Sequence, residues 1–260
     1  MPALVSPSAT PRVYLRHGFQ WTAAEAYLFD IDGTLLNCRD PVHYRAFHQA
    51  TRQVLGIEPS LEGLQLHGNT DIGILRAALA REGLADTALD SGLPRIVELM
   101  CAEVLSNRDQ LLAEACLSIR DLLAFLLERG KLLGVASGNL EPIGWLKLEK
   151  AGLRSLLSFG AFAWPNESRA EIFRHGITLA RQRLGHQASV YVVGDTPADI
   201  QAAKTVEAPV VAMATGIYNF SELVACAPDA CFTSASDLLS LLPIKPAQTS
   251  PGEAFYNRVK

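Results

Sequence analysis

At 260 residues, 49% of them hydrophobic and 19% charged, the chain is long enough for one large domain, or for one domain with a second inserted, around a sizeable core. A net charge of −4 with no run of Lys or Arg excludes a basic stripe, so no nucleic acid partner is expected, while a small anion could still bind locally. No segment has the length of a membrane span or the form of a secretory leader, and the five cysteines contain no C-x-x-C pair; no membrane partner, reduced thiols and a cytoplasmic location are the expectation.

In chain order, residues 1–22 have the Pro, Ser and Thr content of a flexible N-terminal tail. The first strand lies in YLFDI: Tyr27, Leu28 and Phe29 suit burial on both faces, whereas Asp30, Asp32, Gly33 and Thr34 are residues that a strand interior rejects. Residues 38–115 then show helical spacing in HYRAFHQATRQVL, TDIGILRAALAREGL and PRIVELMCAEVL with no strand between them, which predicts an inserted helical module. Inside it, Asn69, Thr70 and Asp71 read as a helix cap, and Thr70 and Asp71 are also candidate substrate contacts if that loop reaches over a site. From residue 116 to 242 the apolar runs KLLGVAS, SFGAFA, SVYVVGD, APVVAMAT and a weaker DACFT alternate with amphipathic stretches that stop at Gly130 and Gly152. This is the pattern of an α/β, doubly wound parallel sheet, formed by residues 23–37 and 116–242, followed by a flexible C-terminal tail over 243–260.

Polar residues close the apolar runs: Asp30 and Asp32 after the first, Ser137 after the second, Asp195 and Asp199 after the fourth. In an open parallel sheet those strand ends face one crevice, so residues more than a hundred positions apart are expected to converge. Several carboxylates in one crevice repel one another unless a cation is present, and oxygen ligands without His or Cys point to Mg²⁺. Such a site fits phosphoryl transfer, with Asp30 as candidate nucleophile and Asp32 as the acid and base that serves the leaving alkoxide and the attacking water. Gly33 permits the tight turn, and the Thr34 hydroxyl is expected to hold Asp32 in place. Ser137, Gly138 and Asn139 supply a hydroxyl and backbone N–H groups to the phosphate. Arg169 is the best-placed cation to complete the site, with Lys147 the alternative. The six histidines lack metal-ligand spacing and are expected on the surface or in the core.

LFDIDGTLL, VASGN, the helix start at Arg169 and VVGDTPADI stand in the order of the four motifs of the haloacid dehalogenase superfamily, and the chain resembles its phosphoglycolate phosphatase-like members over about residues 26–242. The resemblance implies a Rossmann-like core with an inserted α-helical cap over residues 38–115, and an aspartyl-phosphate formed on Asp30. It also implies Mg²⁺ held by Asp30, the Asp32 carbonyl and Asp195, with Asp199 in support. Arg169 departs from the lysine usual in the third motif, and Arg is bulkier and forked. The expected activity is that of a phosphomonoesterase acting on a small phosphorylated metabolite, as monomer or homodimer. A phosphomutase, or a non-catalytic binding protein on the same scaffold, is the alternative.

Overall fold

Alternation along a single strand sets the architecture. In the computed structural model, which describes residues 13–38, 41–84 and 86–242, Ala26–Phe29 is buried throughout, with Leu28 on one face of a sheet and Tyr27 and Phe29 on the other. The chain runs β1 (Val13–Leu15), β2 (Ala26–Phe29), β3 (Leu36–Cys38), α1 (Pro41–Leu55), α2 (Asp71–Arg81), α3 (Asp86–Ser106), β4 (Ala113–Ala115), α4 (Ile119–Glu128), β5 (Leu132–Ala136) and α5 (Glu141–Lys150). It continues through β6 (Phe159–Ala161), α6 (Arg169–Leu184), β7 (Val190–Gly194), α7 (Pro197–Thr205), β8 (Val210–Met213), α8 (Phe220–Ala225), β9 (Ala230–Phe232) and α9 (Ala235–Ser240).

Seven strands form one sheet in the order β1-β9-β8-β7-β2-β5-β6, parallel except for β1, which pairs antiparallel with β9. Phe173 and Ile177 of α6 and Ile200 of α7 pack with Leu28 and Val192 on one face, while Leu122 and Leu126 of α4 and Leu238 of α9 pack with Tyr27 and Phe29 on the other. The sheet is therefore doubly wound, a Rossmann-like core with an inserted α-helical cap. The chain leaves β2 for β5 and β6 on one side and returns to β7 on the other, which puts the topological switch point, and with it the ligand crevice, beyond the carboxyl ends of β2, β5 and β7.

Two expectations change. The N-terminal tail ends sooner than residue 22, because Val13 and Leu15 pair with Phe232 and Ala230 and Trp21 is buried, its carbonyl accepting from the Tyr27 hydroxyl at 2.7 Å. The helical stretch also does not run unbroken to residue 115: β4 pairs with β3 as a two-stranded ribbon at the point where the chain enters and leaves the helices. Strands β1 and β4 have three residues each, too short for a period-2 signal to be read. Helix α3 begins upstream of Pro94 and carries it inside; burial of Leu89 and Leu93 in the apolar core holds the turns that proline would break. Residues 1–12 and 243–260 of the two expected tails lie outside the described residues. No described helix is long and apolar enough to cross a membrane, and the described cysteines Cys101, Cys116, Cys226 and Cys231 are free.

Candidate active site

Asp30 follows directly on β2, and its backbone N–H donates to the Val193 carbonyl of the neighbouring β7 at 2.9 Å, so the sheet itself fixes the residue at the crevice. Gly33 then turns the chain at φ +89°, a conformation that side chains disfavour. A Cβ there would stand 2.2 Å from Asp195 Oδ2, and one at Gly216 would stand 1.8 Å from the same atom. The two glycines are thus the walls of a slot that admits the Asp195 carboxylate.

Helix caps place the other groups. Ser168 and Glu171 form a capping box that starts α6 at Arg169, and Thr196 and Asp199 form one that starts α7 just after Asp195. Arg169 Nη2 lies 2.7 Å from Asp30 Oδ2, and its Nε donates to Asp199 Oδ1 at 2.8 Å. Asp199 Oδ2 accepts from the Thr196 N–H and hydroxyl at 3.0 and 2.7 Å. Carboxylate oxygens of Asp30, Asp195 and Asp199, all buried, lie within 4.8 Å of one another.

Beside this group is a second network. Lys147, buried within α5, reaches Asp32 Oδ2 at 2.9 Å, Oδ1 at 3.2 Å and Asn139 Oδ1 at 2.9 Å. Asn139 Nδ2 donates to Asp32 Oδ2 at 2.7 Å and to Ser137 Oγ at 2.9 Å. Asp32 is held in this network with 38% of its side chain exposed.

These surroundings divide the carboxyls. Burial pushes Asp30 up to about 6 against the pull of Arg169, with Asp199 and Asp32 adding to the rise. Burial, then Asp199 and Asp30, hold Asp195 well above the usual carboxylate range. Burial acts in the same sense on Asp32, but Lys147 and Asn139 outweigh it and keep that carboxyl below its ordinary value.

The site residues read from the sequence do converge, with shifts of partner. Thr34 does not hold Asp32: its hydroxyl donates to Asp195 Oδ1 at 2.9 Å, because the Gly33 turn separates its side chain from Asp32 and aims it at β7. The Asn139 side chain donates to Asp32 and Ser137 and accepts from Lys147. Lys147 and Arg169 are both in the site rather than one in place of the other. Thr70 caps α2 through the Gly73 N–H and donates to the Glu167 carbonyl, so its hydroxyl is spent on structure. Asp71 remains at the site, its Oδ2 accepting from the Leu140 N–H at 2.8 Å and lying 3.2 Å from His43 Nε2.

Helices α1 and α2 and the loop before α2 close the crevice. Gly138 is where they touch the core: a Cβ there would meet the Asn69 carbonyl oxygen at 2.4 Å, and the Asp71 N–H donates to the Gly138 carbonyl at 2.8 Å. Beneath is a cavity of about 260 Å³, lined by Asp30, Asp32, Ser137, Lys147 and Arg169 from the core and by His43, Phe47 and Asp71 among others from the helices. Residue type alone does not single out His43; its spacing of four from Phe47 is the signal that puts both on one helix face.

Comparison with known proteins agrees with this geometry. Residues 24–206 match the model of the haloacid dehalogenase-like hydrolases. A phosphoglycolate phosphatase of Synechococcus elongatus is 36% identical over 122 residues, 46% of this chain and 56% of that protein, so the alignment spans about half of the curated relative. Among solved structures, a predicted phosphoglycolate phosphatase from Haemophilus somnus superposes with a TM-score of 0.60 at 19% identity, covering 84% of this chain and 97% of that one. A mutant of CbbY from Rhodobacter sphaeroides, in complex with xylulose-(1,5)bisphosphate, gives 0.60 at 20% identity over 81% and 94%. With a family match over most of its length, the chain belongs to the haloacid dehalogenase-like hydrolases.

Proposed function

We propose that the protein is a Mg²⁺-dependent phosphomonoesterase that acts on a small phosphorylated metabolite through an aspartyl-phosphate on Asp30. The observation that carries this reading is the separation of two carboxylates on one turn: Asp30 lies in the buried acidic group beside Arg169, while Asp32 stands half exposed over the same cavity. One is placed to attack and the other to move protons.

The residues fit a hard divalent cation. Burial, and then the neighbouring acids, hold the Asp30 and Asp195 carboxyls above their ordinary range beside the Asp199 carboxylate, and the donors are oxygens alone. Both oxygens of Asp199 are already engaged, so Asp30 and Asp195 would hold the ion directly, with the Asp32 carbonyl, and Asp199 would support them. When bound, Mg²⁺ neutralises phosphate charge and orients the phosphorus for in-line attack.

The remaining steps belong to the chain's own groups. Asp30 forms the new O–P bond while Arg169, anchored by Asp199, stabilises the charge that passes to the phosphoryl oxygens. Ser137 Oγ and the Gly138 N–H are the groups offered to those oxygens, the Leu140 N–H being taken by Asp71. An arriving phosphate competes for the ammonium of Lys147, which lets Asp32 take up a proton from solvent, pass it to the ester oxygen as the O–P bond breaks, and then take a proton from the water that cleaves the intermediate. The helical cap over residues 38–115 excludes bulk water during these steps. Free cysteines are consistent with a cytoplasmic setting.

Hydrolysis of p-nitrophenyl phosphate by the purified protein, with and without Mg²⁺ and beside Asp30→Asn, tests the reading. Metal-dependent release that vanishes in the variant supports it. Release that Asp30→Asn leaves intact would remove Asp30 from the mechanism.

A further inference from the structure

The two walls of the cavity differ in charge, and the difference bears on what lies beyond the scissile ester. On the core wall both cations have carboxylate partners: Arg169 is on Asp30 and Asp199, Lys147 on Asp32. On the wall formed by the helical module and its loops, the described lining includes no Lys or Arg. It consists largely of the hydrocarbon of Tyr44, Phe47, Leu61, Leu66 and Ile74, and its formally charged group is the carboxylate of Asp71, against which His43 stands at 3.2 Å.

A second phosphate or a carboxylate placed there would lose water and find neither a guanidinium nor an ammonium in the described lining, and it would approach Asp71. Desolvating an anion without a partner is among the costliest contacts a protein can make. A hydrocarbon or hydroxylated body meets no such penalty: the apolar side chains accept its carbon skeleton, and Asp71 and the imidazoles offer hydrogen bonds to a hydroxyl. The cavity of about 260 Å³ has room for a phosphoryl group and a short body.

We infer that the substrate is the phosphomonoester of a small neutral alcohol, with no second anionic group on its body. This rests on the phosphatase reading above and narrows it. It also separates the chain from relatives named for phosphoglycolate, whose body is a carboxylate, and from the structure that holds a bisphosphate.

Matched pairs test it. The purified full chain with Mg²⁺ is assayed by phosphate release on 2-hydroxyethyl phosphate against phosphoglycolate, which differ in CH₂OH against carboxylate, with p-nitrophenyl phosphate as a general substrate. The expected result is a kcat/KM at least about tenfold higher for the neutral member, a difference of about 1.4 kcal/mol. Equal rates, or preference for phosphoglycolate, would overturn the inference. No turnover of any of the three, p-nitrophenyl phosphate included, would overturn it by removing the phosphatase reading beneath it. As a second arm, Ile74→Lys puts an ammonium into the apolar wall and is expected to move the ratio toward phosphoglycolate by about tenfold or more. The ratio is taken within one preparation, so a partly folded variant does not distort it, and an unchanged ratio in a variant that still turns over would count against this wall as the specificity surface.

Discussion

Arg169 and Lys147 are both buried cations on core helices, both within hydrogen-bond distance of a carboxylate of the same DID turn, and yet they hold their partners in different media. Arg169 joins Asp30 and Asp199, of which Asp199 is fully buried. Lys147 holds Asp32, whose side chain is 38% exposed. A carboxylate released in the first place has no water to turn to; one released in the second does. The same residue chemistry is thus a structural tie on one side of the site and a reversible hold on the other.

Removing Arg169 is the largest break. Arg169→Ala leaves Asp30 and Asp199 buried without their cation, a loss of about 3–5 kcal/mol of stability, and it removes the guanidinium that in the proposed mechanism faces the phosphoryl group. Denaturant unfolding followed beside turnover is expected to show both losses. Stability within about 1 kcal/mol of wild type, the level of an exposed pair, would mean that the buried triangle is not what the geometry indicates.

Asp32→Asn separates chemistry from structure on the other side. Asn keeps the shape and the Lys147 contact but cannot carry a proton, so kcat is expected to fall about 10²–10⁴-fold with unfolding little changed. Lys147→Met comes next: the carboxylate it leaves is half exposed, and a loss of about 10- to 100-fold in kcat is expected from misplacing Asp32. The loss should be smaller for p-nitrophenyl phosphate, whose leaving group needs little protonation, than for an alkyl phosphate. An equal loss on both substrates would assign Lys147 to phosphate binding instead of to the placement of Asp32.

How much of this is legible in the sequence follows from where each contact originates. Asp30, Asp32 and Asp195 can be read because strand-end position and residue type are local, and a parallel sheet brings its strand ends together whatever the loops do. Thr34 cannot be assigned the same way: neighbours in sequence suggest Asp32 as its partner, whereas a turn at φ +89° decides which way its hydroxyl points. Lys147 reads as secondary for being mid-helix, although it stands four residues after Ile143 on the buried face of α5; what the spacing leaves out is the carboxylate of Asp32 that this face meets. The β3–β4 ribbon joins Leu36, Asn37 and Cys38 to Ala115, Glu114 and Ala113 across the whole helical module, without a turn to announce it. His43 gains its meaning only when α1 lies over the cavity.

The smallest expected effect tests the acidic side of the comparison without any substitution. Asp30, pushed to about 6, and Asp195, also raised, bind protons in the folded metal-free protein that the unfolded chain, with carboxyls near about 4, has already released. At these two groups the folded state holds more protons, so their contribution to metal-free stability is fully present below the unfolded value and is lost as pH rises through the folded ones. In the proposed site Mg²⁺ would need the ionised carboxylates and relieve their repulsion, so its stabilisation should grow over the same interval. At about ten times its Kd the ion contributes about 1.4 kcal/mol, which for a chain of this size is about 3–6 °C in Tm. Thermal unfolding of chelator-treated protein, with Mg²⁺ added back, should show that rise near about pH 7.5 and less than half of it near about pH 5. An equal rise at both would place the ion away from Asp30 and Asp195, since a site built from other groups would not follow their protonation.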